Sequence, residues 1–437
     1  MHRTRSGPLP HSFWVPLLYA AAAFILGLLL PRLENRFVPA LAVAASADAA
    51  IAILSAIASG MMALTGIVFS LAFVMVQFSA TAYSPRLVLS LARSSIINHS
   101  IGIFTATFIY SLAAIAWVDR AGSAKVPPLT VWFAVVLLLV SVVVFVLLVE
   151  RVGMLQVTRV LAFAGDAGRA VIELMYPPSD TTAPGIGERV TPPAGDEPDR
   201  LPVTQTIAHR GPPAVIQAFD TSALVLLAAR GGAIVVLGSA VGDTVMEGMP
   251  LLRVHGGERP LPEQRLRRAI GLGAERTFEQ DPKYALRLLV DVAIKALSPA
   301  INDPTTAVQA LDQIEDLLLR LGQRRLDVGR VRDAGGRLRL MVPVPTWGDL
   351  LVLSLDEIRF CGANSIQVMR RMSALLQDLV EHVLPERREG LQHYLERVEN
   401  GIQRAFEDAD DRRDALERDR QGLGLSRERR DQGRHDV

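Results

Sequence analysis

The apolar residues of this chain are concentrated in its first third, and that asymmetry limits its fold more than any other feature. Four long apolar stretches, about 13–30, 53–78, 101–118 and 129–149, precede Gly153, and nothing of comparable length follows in the remaining 284 residues. A bilayer core about 30 Å thick is crossed by a helix of roughly 20 apolar residues. The pattern predicts an α-helical membrane bundle of four spans over residues 1–153, followed by a soluble α+β region. Hydrophobic residues make up 50% of the whole, an average between a membrane part and a polar part.

Charge divides in the same way. Residues 1–153 hold 9 Arg/Lys against 4 Asp/Glu, and the rest hold 37 against 41. No basic block large enough to track a phosphate backbone exists, so nucleic acid is not an expected partner. The single Cys361 cannot close an intrachain disulfide and fits a reducing compartment. Only Lys125, Lys283 and Lys295 are lysine among 46 basic residues, a composition suggestive of a high-GC bacterial genome.

The first span follows Arg3 and Arg5. Pro31-Arg32-Leu33-Glu34 stands where a cleaved signal would place small residues, so an uncleaved helix is expected. The second span carries Ala52, Ala56 and Gly60, then Ser55, Ser59 and Ala63, then Gly66 and Ser70, at intervals of four. Small residues at that interval let helix backbones approach closely in lipid. Thr65, Ser70 and Gln77 are the candidate pore or interhelical polar groups of this span. The third span holds Thr105, Thr107, Tyr110 and Ser111, whereas Ser141 is the internal polar side chain of the fourth. Spans two and three are therefore expected inside the bundle and span four against lipid. Arg3, Arg5, Arg86, Arg93, Arg151 and Arg159 share one side, against Arg32, Arg36, Arg120 and Lys125 on the other. This bias places both termini in the cytosol of a bacterial inner membrane. In the loop 79–100, Ser84 is a good N-cap and Pro85 a good first helical residue, so Ser84-Pro85-Arg86 is expected to open an interfacial helix coupling the bundle to the cytosolic part.

Residues 154–176 read as a helix leaving the membrane, and 177–202 as a Pro/Gly-rich linker. From 203 to 256 short β-type runs appear at Ala214–Phe219, Leu224–Ala229, Ala233–Leu237 and Leu251–Val254. The segment Val241-Gly242-Asp243-Thr244-Val245-Met246-Glu247-Gly248-Met249-Pro250-Leu251-Leu252-Arg253-Val254 resembles the hammerhead turn of barrel-sandwich-hybrid folds, as in biotinyl and lipoyl carriers and membrane-fusion proteins. The resemblance implies a small β module. Carriers attach their cofactor to a hairpin lysine, and this segment has none, so no cofactor is expected.

Residues 263–420 are mainly helical in period, and 421–437 look disordered. Tyr284, Leu286, Leu288, Leu289, Val292 and Leu297 outline one helix, with Asp291 and Lys295 spaced to pair. Asp303 as N-cap and Pro304 at the first position start the next. Asp291, Lys295, Ser298, Asn302 and Asp303 thus form a candidate ligand or ion site at a tight helix–turn–helix joint. Leu338 to Val344 reads as a strand, and Asp349 starts a further helical region.

Catalytic signatures are missing. Val292-Ala293-Ile294-Lys295 matches the lysine strand of protein kinases in letters alone, in a helical context without the other kinase elements. The eight histidines are scattered without zinc spacing, and no Walker, dinucleotide or nucleophile-elbow motif occurs, so neither a metal nor an enzyme is expected.

Four segments together carry a family likeness: Gln77-Phe78-Ser79; Ser84-Pro85-Arg86; Gly102, Phe104, Thr107, Phe108 and Tyr110; and Ala296-Leu297-Ser298-Pro299-Ala300-Ile301-Asn302-Asp303-Pro304-Thr305-Thr306-Ala307. The chain resembles a bacterial family of predicted integral membrane proteins classed as a domain of unknown function. The resemblance implies location and architecture and transfers no functional residue. The sequence reading favours a homo-oligomeric channel or conduit gated by its cytosolic domain. The alternative is a membrane-anchored sensing or interaction protein that binds a small ligand, an ion or a partner. In either case the lipid bilayer is a partner.

Overall fold

A computed structural model describes residues 14–37, 47–82, 95–118, 128–152, 157–179 and 198–424. The chain divides into two compact units, Met1–Gln156 and Val157–Val437. The expected linker lies mostly outside the described residues, as do the Ser84-Pro85-Arg86 loop and the tail from 425 onward.

The first unit is built of α1 (Trp14–Phe37), α2 (Ala47–Ala82), α3 (Ser95–Ile115) and α4 (Pro128–Val152). Among the described residues, Trp14–Glu34, Ala47–Ser70 and Pro128–Glu150 are long and apolar enough to cross a membrane. Helix α3 falls outside that set, because Asn98, His99, Ser100, Thr105, Thr107, Tyr110 and Ser111 dilute its apolar residues. Yet α3 is the centre of the unit, packing on α1, α2 and α4. Phe104, Thr107, Tyr110, Ser111 and Ala114 are fully buried.

Contacts fix the helix directions. Tyr19 of α1 meets His99 edge-on, its hydroxyl 3.2 Å from His99 Nδ1, and a Cβ at Gly102 would lie 2.8 Å from the Tyr19 ring. Eight residues further along α1, a Cβ at Gly27 would lie 2.7 Å from Ala113 Cβ and 3.2 Å from the Tyr110 carbonyl oxygen. So α1 and α3 run parallel, held close by glycine. Helix α4 runs antiparallel to α3: Thr107 and Ser141 hydroxyls bond at 2.9 Å, while Tyr110 donates to the Thr130 carbonyl at 3.0 Å.

The second unit begins with α5 (Val157–Met175), which lies along α9 (Pro304–Gly322) with a constant register. Arg169 pairs with Asp316 at 2.7 Å, Glu173 with Arg320 at 3.0 Å, and Arg324 donates to the Tyr176 carbonyl at 2.6 Å. Gly165 and Gly168 face Gln313 and Leu317. Every pair is offset by nearly the same number of residues, so α5 and α9 are parallel and the exit helix is part of the soluble core. Helix α8 (Pro282–Ala296) packs on α5, α9 and α10 (Trp347–Cys361). Leu286, Leu288 and Leu289 are at most 1% exposed, so α8 is enclosed on several faces and each leucine contributes about 1.5–3 kcal/mol. Helix α11 (Ile366–His382) lies parallel to α9: Arg371 bonds Asp312 near its start, and Leu384 N donates to the Gly322 carbonyl past its end. Helices α12 (Arg388–Ala405) and α13 (Ala409–Leu416) cover α11.

Two sheets complete this unit. Strands β1 (Val203–Ala208), β3 (Ala233–Leu237), β5 (Pro250–Gly256), β7 (Arg330–Arg332) and β8 (Leu338–Met341) form one in the order β1-β5-β3-β8-β7; β2 (Ala214–Phe219), β4 (Thr244–Val245) and β6 (Ile270–Gly273) form the other as β4-β2-β6. Their shared core contains Ile207, Ile216, Leu224, Val235, Val245, Leu252, Leu266 and Leu340.

Two sequence expectations change here. Leu224–Ala229 is not a strand but part of helix α6 (Thr221–Arg230), started by Asp220, whose carboxylate accepts the Ala223 N–H at 2.9 Å. One face of the helix is buried, through Leu224, Leu227 and Ala228, while Leu226 is exposed, and an apolar run of this length is too short to declare that period. The β region also extends past residue 256, since β8 pairs with β3 in parallel. The hammerhead-like segment itself becomes β4, a turn with Gly248 at φ +82, and β5.

Gly27 gives a direct test of the α1–α3 approach. Gly27→Val forces backbone or Ala113 to shift, and a destabilisation of about 1–3 kcal/mol is expected. A lower melting midpoint of the detergent-solubilised protein by fluorescence-detected size exclusion checks it; an unchanged midpoint contradicts the close approach.

Candidate functional site

Thr65 and Ser70, two of the polar residues singled out in the second span, stand on different sides of α2. Thr65 is half-buried on the packed side of α2, where its hydroxyl donates to the Met61 carbonyl at 2.7 Å. Ser70 is exposed. Gln77 lies within α2, with its side chain outside the described residues, and Ser84, Pro85 and Arg86 lie outside them altogether.

The buried polar groups of the bundle are elsewhere. Glu34, 4% exposed at the end of α1, accepts from Leu129 N at 2.8 Å and from Thr130 N and Oγ1 at 3.0 Å each. Pro128 opens α4 and has no N–H, so one carboxylate satisfies the next two orphan donors. Negative charge at a helix N-terminus is favoured by the helix dipole. Arg32 stacks over Trp117 at 4.4 Å beside this end. An acidic residue closing an apolar stretch, followed much later by Pro-x-Thr, was the available sequence signal. It could not show that the two segments meet.

In the second unit, Asp291 pairs with Arg287 at 2.7 Å, and not with Lys295 as the spacing suggested. Arg287 also reaches Glu357 of α10, and this pair holds the Glu357 carboxyl below its usual range. Arginine satisfies two carboxylates in a planar fork that a lysine four residues away cannot offer. Ser298, Asn302 and Asp303 do come together, in the joint between α8 and α9. The Ser298 hydroxyl donates to the Lys295 carbonyl at 2.7 Å, Asn302 N to the Ser298 carbonyl at 2.9 Å, and Asp303 N to the Ala296 carbonyl at 2.9 Å. Asp303 then caps α9, accepting Thr306 N at 3.1 Å and Thr306 Oγ1 at 2.5 Å. Asn302 adopts φ 48, the one non-glycine residue with positive φ among those described. Asparagine tolerates this conformation better than most side chains. The joint is thus a compact, locally bonded turn whose tip, Pro299 to Asn302, is exposed.

A second polar centre was not legible in the sequence. Asp281, 1% exposed, receives Arg276 Nε and Nη2 on one oxygen at 2.7 Å each, while its Oδ1 has no hydrogen-bond partner. Burial raises its carboxyl above the ordinary value of 3.8, against the opposing pull of Arg276. Gly242, at φ +89, makes room: a Cβ there would lie 2.3 Å from Asp281 Oδ2. Lys283 and Asp243 approach to 3.8 Å alongside. Among the described residues no group of three His, Cys, Asp or Glu is arranged to hold a metal ion.

Comparison with known proteins identifies the class. The model of a family described as a predicted membrane protein (DUF2254) matches residues 11–378. An uncharacterized protein of Mycobacterium bovis is 29% identical over 373 residues, covering 82% of this chain and 69% of that protein. Uncharacterized proteins of two Mycobacterium tuberculosis strains align over the same length at 29% and 28% identity, again covering 82% of this chain and 69% of each relative. No solved structure matches.

The joint and the buried aspartate each make a prediction. Asp303→Ala removes the α9 cap and costs about 1 kcal/mol, whereas Asn302→Gly is near neutral and Asn302→Val destabilises; thermal unfolding of the three variants checks the order. For Asp281 the raised carboxyl means that the folded chain binds the proton more readily than the unfolded chain. Its contribution to stability is present below the ordinary carboxylate range and is lost as pH rises through the raised value. Asp281→Asn should abolish that part of the pH dependence, and a wild-type-like profile in the variant rules it out.

Proposed function

The chain belongs to the DUF2254 family of predicted membrane proteins, and we propose that it forms a homo-oligomeric conduit in a bacterial inner membrane. In this reading all four helices of the first unit span the bilayer. Helix α3 is too polar to be recognised alone, but it runs parallel to α1 and antiparallel to α4 within one bundle, as an up–down–up–down order requires. Its hydroxyls bond within the bundle, which removes the cost of placing them in lipid. The arginine distribution puts both termini in the cytosol.

One observation carries the oligomer. Leu54, Ile57, Ala58, Met61 and Val68 form the buried stripe of α2. Ala52, Ala56, Ser59, Ala63, Gly66 and Ser70 follow steps of four and three along the opposite side, and all six are exposed. Nothing lies within 4 Å of where a Gly66 side chain would begin. A heptad-spaced row of small residues suits close contact with another helix, and its two serines offer polar groups to a shared axis. The same spacing reaches Gln77 in the sequence.

Cross-linking tests this reading. In a Cys361→Ser background, Ser59→Cys and Ala63→Cys should give oxidative dimers in native membranes, whereas Leu139→Cys, on the exposed side of α4, should not. Proteoliposomes should show ion or solute flux that Ala63→Trp reduces. A monomer with neither cross-link nor flux rejects the proposal.

A further inference from the structure

Several helix ends meet at one pole of the second unit. The register of α5 against α9 places the start of α5 level with the start of α9, and so beside the Ser298–Asp303 joint. Helix α11, parallel to α9, starts at this pole too. So does the end of α10, because a Cβ at Gly362 would lie 3.3 Å from Leu297 Cδ1. The segment after α13 returns here, with Gly422 against Gln367. Three large apolar side chains stand exposed at this pole: Ile301 at 40%, Phe360 at 79% and Leu423 at 56%. The sheets lie at the other end of α8, where Gly242 and Asp243 meet Asp281 and Lys283, about 22 Å away along a helix of 15 residues.

We propose that this pole is a lipid-docking surface, with Ile301, Phe360 and Leu423 entering the boundary between headgroups and acyl chains. The occupant follows from the chain itself: it enters the second unit at this pole, at Val157, five positions after the apolar helix α4 ends at Val152. Several large apolar side chains exposed together mark an interaction surface, and binding to a bilayer interface strengthens with the apolar area it buries. The inference rests on the reading of the first unit as bilayer-spanning.

The test uses the full chain in vesicles of phosphatidylcholine and phosphatidylglycerol. A bimane fluorophore is placed on the native Cys361, which is exposed and adjoins Phe360. In a Cys361→Ser background it is placed instead on Ile301→Cys, Met246→Cys or Leu139→Cys. Headgroup-nitroxide lipid should quench the labels at 361 and 301 about twofold, and leave Met246→Cys, in the turn of the sheet region, unchanged. Acyl-chain nitroxide should quench Leu139→Cys. Quenching at 139 without quenching at 301 and 361 overturns this proposal and leaves the bilayer-spanning reading standing. No quenching at 139 removes both. Labels at 301 and 361 that are shielded from aqueous iodide yet insensitive to lipid nitroxide indicate a protein covering, and also overturn it.

Discussion

The parallel pairing of α5 with α9 is the constraint on which the second unit depends. Two charged pairs, one backbone bond and two glycines keep the helices at a single offset along their length. Slipping by one residue would break all of these at once and move Leu317 out of the space that Gly168 leaves for it. A segment that the sequence presents as a helix leaving the membrane is therefore the first core helix of the second unit. Through it the order of the remaining elements is set: α8 returns to the joint, α11 and α10 bring their ends to the same pole, and the sheets occupy the other.

The bundle solves a different problem. In hydrocarbon a hydroxyl or carboxylate has no water to bond, so each one must find protein. Thr107, Ser111, Ser141 and Tyr110 do so within or between α3 and α4, and Glu34 does so by closing the N-terminus of α4. Opposite the packed face of α2 runs a row of alanine, glycine and serine, flanked by the exposed Ile53, Met62, Ile67, Phe69 and Phe73. Polar atoms are thus concentrated where they are satisfied, within and between the helices.

The apolar helices were legible because a run of 20 apolar residues has few alternative fates, and α9 was legible because Asp303-Pro304 is a strong start signal. Helix α6 was not, since a short apolar run between turn residues does not declare its period. The pairing of Arg287 with Asp291 and Glu357 escaped for another reason: spacing shows who can meet on one helix, and it cannot weigh a partner arriving from α10. Of the candidate site, Ser298, Asn302 and Asp303 are neighbours in the chain and meet in the joint through local bonds. Asp281 was invisible because its environment comes from Gly242 and Arg276, segments with no pattern of their own.

Arg387 carries a consequence for how this protein can be divided. Its guanidinium donates to the carbonyls of Leu321 and Arg324, closing the C-terminal end of α9, and it stacks on Trp347. Leu321 lies in the last turn of α9, where carbonyls lack the bonds of the helix interior, and Arg324 lies just beyond it. Family similarity fades at residue 378, nine positions before this arginine. A fragment cut at that border would retain every apolar residue of α9 yet expose the frayed end of its last turn. The physical domain is longer than the stretch that the family model matches, and its boundary is drawn by this cap together with the buried Leu379, Leu391, Val398 and Ile402.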